Sequence, residues 1–80
     1  MWELTITYRT EGQRSYAWGA LDEDIRKAAR GTQVDQGTMT EAGRPRDLSF
    51  DFRTFSQVSA ARERVLRLRR ILKTEIHPAP

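Results

Sequence analysis

The residues best suited to chemistry in this 80-residue chain are arginines crowded toward its C-terminal end. Between positions 61 and 73, Arg62, Arg64, Arg67, Arg69, Arg70 and Lys73 stand against Glu63 alone, a local net of +5 in a chain whose total is +3. All of the excess positive charge therefore lies in one segment. Guanidinium groups are planar, permanently charged and forked to match phosphate oxygens, so a row of them is the pattern for phosphate contact. On a helical wheel Arg67 and Arg70 project outward, while Arg62, Arg69 and Lys73 border the apolar stripe. Arg62, Arg67, Arg69, Arg70 and Lys73 form the candidate nucleic-acid-binding set. The competing use is a solvated helix face, because 12 of the 14 basic residues are Arg wherever they fall.

Catalytic chemistry finds few residues. A single His77 sits beside Pro78, Ser15 and Ser59 fall inside expected helices, and no acid–base pair is indicated. Zero cysteines exclude a disulfide framework, a thiolate nucleophile and a zinc ribbon. Asp22, Glu23 and Asp24 are adjacent on a helix, point in different directions and cannot converge on one metal ion; the helix dipole and solvation explain them. No catalytic residue, cofactor or metal is expected. Arg9 and Arg53 each precede a helix N-terminus, and parallel central strands would bring both to one end of an open sheet face, where they could hold an anion or a partner. Salt bridges to Asp51 or Glu11 are the competing use.

The elements that must position these residues are read from periodicity. From Trp2 to Arg9, Trp2, Leu4, Ile6 and Tyr8 alternate with Glu3, Thr5, Thr7 and Arg9, the pattern of a strand with one buried face. Leu48, Phe50 and Phe52 repeat it between Asp47 and Arg53. An offset of 44 makes Leu4/Leu48, Arg9/Arg53, Thr10/Thr54, Gln13/Gln57, Ser15/Ser59 and Ala17/Ala61 identical, so the chain reads as two similar halves. Thr10 to Gln13 and Thr54 to Gln57 are both capping boxes, which predicts helix starts at 11 and 55. The first helix is predicted to run to Arg30, with Trp18, Leu21, Ile25 and Ala28 inward and Gly31 as left-handed cap. A hairpin turning at Gly12, with residues 14–18 as a second strand, competes with it. Phe55, Val58, Ala61, Val65, Leu68 and Leu72 predict a second helix ending near Arg70 or Ile71. Gln33 to Thr40 reads as an edge strand irregular at Gly37, and Lys73 to His77 as a short final strand.

The order strand, helix, strand, strand, helix, strand, with two half-buried alternating strands, resembles the ferredoxin-like fold. It implies an α+β two-layer sandwich: a four-stranded antiparallel sheet with two helices on one face, spanning 1–77 before a frayed tail at 78–80. The fold hosts many unrelated functions. The paired cysteines of its copper-carrying members are absent here, as is any Asn for an acylphosphatase-like site. Strand parity places Phe50, Phe52 and Tyr8 under the helices, not on the open face where RNA-recognition members stack bases. The open face is Glu3, Thr5, Thr7, Arg9, Asp47, Ser49, Asp51 and Arg53.

A core this small benefits from a partner. Leu66, Ile71 and Trp2 leave apolar surface for one. The expected function is a non-catalytic protein-interaction module, meaning an adaptor, an inhibitor or a homodimer; the alternative is nucleic-acid binding through the basic helix. Met1-Trp2-Glu3 is not followed by the apolar run of a signal, and no stretch approaches about 18 apolar residues. A cytoplasmic protein, neither exported nor membrane-embedded, is the expectation.

Overall fold

A computed structural model describes residues 1–9, 15–38, 45–69 and 71–79. The elements follow the order β1 (Trp2–Arg9), α1 (Ser15–Ala29), β2 (Thr32–Thr38), β3 (Pro45–Phe52), α2 (Phe55–Leu66) and β4 (Ile71–Pro78). They build one four-stranded sheet in the order β2-β3-β1-β4, with every neighbouring pair antiparallel. This is the ferredoxin-like topology, an α+β two-layer sandwich. No helix among the described residues is long and apolar enough to cross a membrane.

Alternation decides which face the helices cover. Leu4 and Ile6 of β1 lie opposite Phe50 and Leu48 of β3, and all four are buried. Val58, Ala61 and Val65, spaced by three and four, are the buried stripe of α2, and Ile25 and Ala29 are buried from α1. The second capping box forms in full. Thr54 has extended backbone, its hydroxyl accepts the Gln57 N–H at 3.1 Å, and Gln57 Oε1 accepts the Thr54 N–H at 3.4 Å. The first box, Thr10 to Gln13, lies outside the described residues. Ser15 to Trp18 are helical, which settles the competing hairpin in favour of the helix.

Four features differ from the sequence expectation. First, α2 stops at Leu66, where the Arg67 and Leu68 N–H groups donate to the Arg64 and Val65 carbonyls in a tightened last turn. The helical spacing continues to Leu72, but pairing Ile71–Pro78 with β1 satisfies more backbone than another helical turn would, and tertiary pairing overrides propensity. Leu72 consequently becomes the extra residue of a bulge opposite Thr7 and Tyr8 and is 48% exposed. Second, Phe55 is not in the core; it is 54% exposed and meets Trp2 edge-on, centroids 4.9 Å apart.

Third, α1 ends at Ala29, and Arg30, not Gly31, takes the left-handed conformation at φ 59°. That costs a residue with a side chain roughly 1–2 kcal/mol. Gly31 is required for space instead, because a Cβ there would lie 2.6 Å from the Phe52 ring. Fourth, the irregularity of β2 falls between Gln33 and Asp35, not at Gly37.

Candidate functional site

The helix-covered face carries a polar cluster at one end of the core. Tyr8 of β1 and Arg46 of β3 are directly opposite each other, and Asp22 descends from α1 between them. The Tyr8 hydroxyl donates to Asp22 Oδ1, and Arg46 donates to Asp22 through Nη2 at 2.6 Å and Nε at 3.0 Å. Asp22 is only 4% exposed. Burial, reinforced by the Asp22 carboxylate, holds the Tyr8 phenol well above its ordinary pKa, and the hydrogen bond to Asp22 raises that of Arg46. Through these hydrogen bonds the cluster ties α1 to the sheet. The sequence reading placed Asp22 with Glu23 and Asp24 in a solvated acidic run. The structure separates them, since only Asp22 is buried. The available signal was the Tyr8 hydroxyl on a buried face, which requires a hydrogen-bond partner.

No described helix covers the opposite face of the sheet, which is polar, although its Thr7 and Ser49 are buried. At its centre Thr7 donates to Asp47 Oδ1 at 2.7 Å and Thr5 shares a 3.1 Å hydrogen bond with Ser49. On the outer strand Lys73 and Glu75 are paired at 2.9 Å, with His77 3.6 Å from Glu75. The Lys73 ammonium holds the Glu75 carboxyl below its usual range, and Glu75 raises Lys73 in return.

Antiparallel pairing separates Arg9 from Arg53. Trp2 lies opposite Phe52 and Arg9 opposite Pro45, so the two arginines stand at opposite ends of an eight-residue strand pair, roughly 25 Å apart. The expectation that parallel central strands bring them together is corrected by this register. Arg53 makes no ion pair with Asp51 or any other described carboxylate.

The five residues of the basic set are also divided. Arg62 is exposed on α2, with Nε donating to Thr74 Oγ1 at 3.0 Å on the helix side of β4. Arg67 and Arg69 are exposed in the turn after α2. Arg70 lies outside the described residues. Lys73 belongs to β4 and shares the open face with Thr7, the opposite side of the sheet from Arg62, because α2 ends before it.

A cleft of about 550 Å³ opens where α1 ends beside α2, lined by Arg30, Gly31 and Thr32 on one side and Arg53, Ser56, Gln57, Ala60 and Arg64 on the other. Arg64 donates Nε to the Ala28 carbonyl at 2.6 Å and Nη2 to the Ala29 carbonyl at 3.0 Å, satisfying the last carbonyls of α1. Desolvation and the nearby charges of Arg30 and Arg67 lower the Arg64 pKa.

Comparison with protein-family models, with curated proteins and with solved structures finds no match.

Proposed function

We propose that the protein is a non-catalytic interaction module that pairs with a second copy of itself along the outer edge of β4. The observation that carries this reading is the self-complementary charge order of that edge. Antiparallel pairing of two β4 strands about a two-fold axis at Thr74 sets Lys73 opposite the partner's Glu75 and Glu75 opposite the partner's Lys73. The ion pair now formed within one strand becomes two pairs between strands.

Two further features support the edge as the contact. β4 is eight residues long, pairs regularly with β1 from Lys73 to Pro78, and has no described strand on its outer side. Joining two sheets through β4 also adds buried surface to a core that is small for a single chain.

The test is the solution mass of wild type and of charge variants by sedimentation equilibrium. Lys73→Glu alone and Glu75→Lys alone each set like charges opposite each other and are expected to weaken the dimer at least about tenfold, whereas the double variant recovers it. A wild-type monomer at about 100 μM, or single variants that associate as well as wild type, overturns the reading.

A second reading rests on Arg62, Arg67 and Arg69, which are exposed and make no ion pair with a described carboxylate. Such a surface suits the phosphate backbone of nucleic acid. Anisotropy of labelled mixed-sequence RNA and DNA at about 50 and about 200 mM salt tests it: affinity that collapses with salt supports it, and no binding at low salt removes it.

A further inference from the structure

We infer that the cleft between the end of α1 and the flank of α2 is a binding site for a small molecule carrying a phosphate monoester, held by Arg30, Arg53 and Arg64. This goes beyond pairing through β4, since none of the three residues lies on that strand.

Charge is the first argument. Three arginines and one acid, Asp51, line the cleft, a net of +2, and none of the three arginines is paired with a described carboxylate. A phosphate monoester carries about −1.5 to −2 at neutral pH and matches that surplus, whereas one carboxylate leaves half of it unneutralised. Arg30 and Arg67 are close enough to Arg64 to disfavour its charge, so the cluster holds repulsion that a bound dianion relieves.

Geometry is the second. Arg64 is fixed by its two bonds to the α1 carbonyls and keeps Nη1 for a ligand. Ser56 and Ala60, one turn apart on α2 between Arg53 and Arg64, are small and leave the volume open. About 550 Å³ lies within the size range of small-molecule sites, roughly 300–1,000 Å³.

Backbone strain is the third. Arg30 holds the left-handed conformation although a glycine is the next residue. Glycine would take that conformation without penalty, so a guanidinium is kept there at a cost to folding.

The experiment is a titration of 15N-labelled full-length protein with inorganic phosphate, with AMP and with a 5′-hydroxyl oligonucleotide, at ionic strength matched by chloride, together with thermal unfolding of wild type, Arg30→Gly and Arg53→Ala. AMP is expected to shift the amides of Gly31, Thr32, Ser56 and Gln57 and to raise the unfolding temperature. Arg30→Gly is expected to unfold at a higher temperature than wild type without ligand and yet to bind AMP at least about tenfold more weakly. Arg53→Ala is expected to lose a similar factor. Absence of amide shifts at about 10 mM AMP, or variants that titrate like wild type, overturns the proposal. Tighter binding of the oligonucleotide than of AMP at these amides overturns the assignment to a monoester.

Discussion

Arg46 Nη2 lies 2.6 Å from Asp22 Oδ2, joining β3 to α1 across 24 residues of chain, while the Tyr8 hydroxyl occupies the other carboxylate oxygen. The Asp22 side chain is 5% exposed and that of Arg46 12%, and Arg26 of α1 stands 3.7 Å from the same carboxylate, so the Asp22 charge is held by protein groups and hardly by solvent. The contact therefore fixes how the first helix seats on the sheet.

Removing one member of this cluster is expected to be costly. Asp22→Asn removes the carboxylate charge that Arg26, Arg46 and the Tyr8 hydroxyl share, and is expected to destabilise the fold by about 3 kcal/mol. Tyr8→Phe deletes the hydroxyl's hydrogen bond to Asp22 and keeps the ion pair, for a loss of about 1 kcal/mol. Urea unfolding followed by circular dichroism measures both, and the account requires the first loss to exceed the second.

The raised Tyr8 pKa gives stability a dependence on alkaline pH. In the folded chain the phenol keeps its proton above the pH at which the unfolded chain releases it. Its contribution is complete below the ordinary tyrosine value and is lost as pH rises toward the raised one. The urea midpoint of wild type is expected to fall above about pH 10, and that of Tyr8→Phe to fall less over the same range.

Gly31→Ala tests the close approach of the α1–β2 connection to the core. The new Cβ would meet Phe52 Cζ at 2.6 Å and Cε1 at 2.9 Å, and both belong to a packed ring that is 7% exposed. A destabilisation of about 1–3 kcal/mol is expected from the displaced ring. A neutral result in thermal unfolding would show that the ring can shift without loss.

Acid is expected to separate the proposed dimer. The Glu75 carboxyl is held below its usual pKa by Lys73, so its charge is present above the ordinary carboxylate value and is lost as pH falls through the lowered one. Light scattering between about pH 7 and about pH 3, with circular dichroism to confirm that the fold persists, should show the mass falling to that of one chain at the acid end.

The fold was legible because its strongest signals are local. The alternation of Leu4, Ile6 and Tyr8, the matching Leu48, Phe50 and Phe52, and the Thr54–Gln57 capping box each specify an element and its buried side, and the structure keeps all three. The end of α2 was not legible, since the helical apolar spacing continues through Leu68 to Leu72, and the strand that begins at Ile71 is set by its pairing with Tyr8 across the sheet. The same non-local pairing moves Lys73 off the helix and divides the basic set. Asp22 looked like its neighbours Glu23 and Asp24 because its partners, Tyr8 and Arg46, are distant in sequence. The cleft around Arg30, Arg53 and Arg64 unites three segments that no spacing rule connects.

Thr74→Cys tests the central claim most directly. The chain has no cysteine, so this substitution supplies its only thiol, at the residue proposed to lie on the two-fold axis. Directly opposed residues of an antiparallel pair have Cα atoms about 4.5–5.5 Å apart, within disulfide reach. Under mild oxidation the account predicts rapid conversion to a covalent species of twice the 9.3 kDa chain mass, while Thr32→Cys on the opposite edge of the sheet stays monomeric. Failure of Thr74→Cys to cross-link, or cross-linking of Thr32→Cys at the same rate, would contradict pairing through β4.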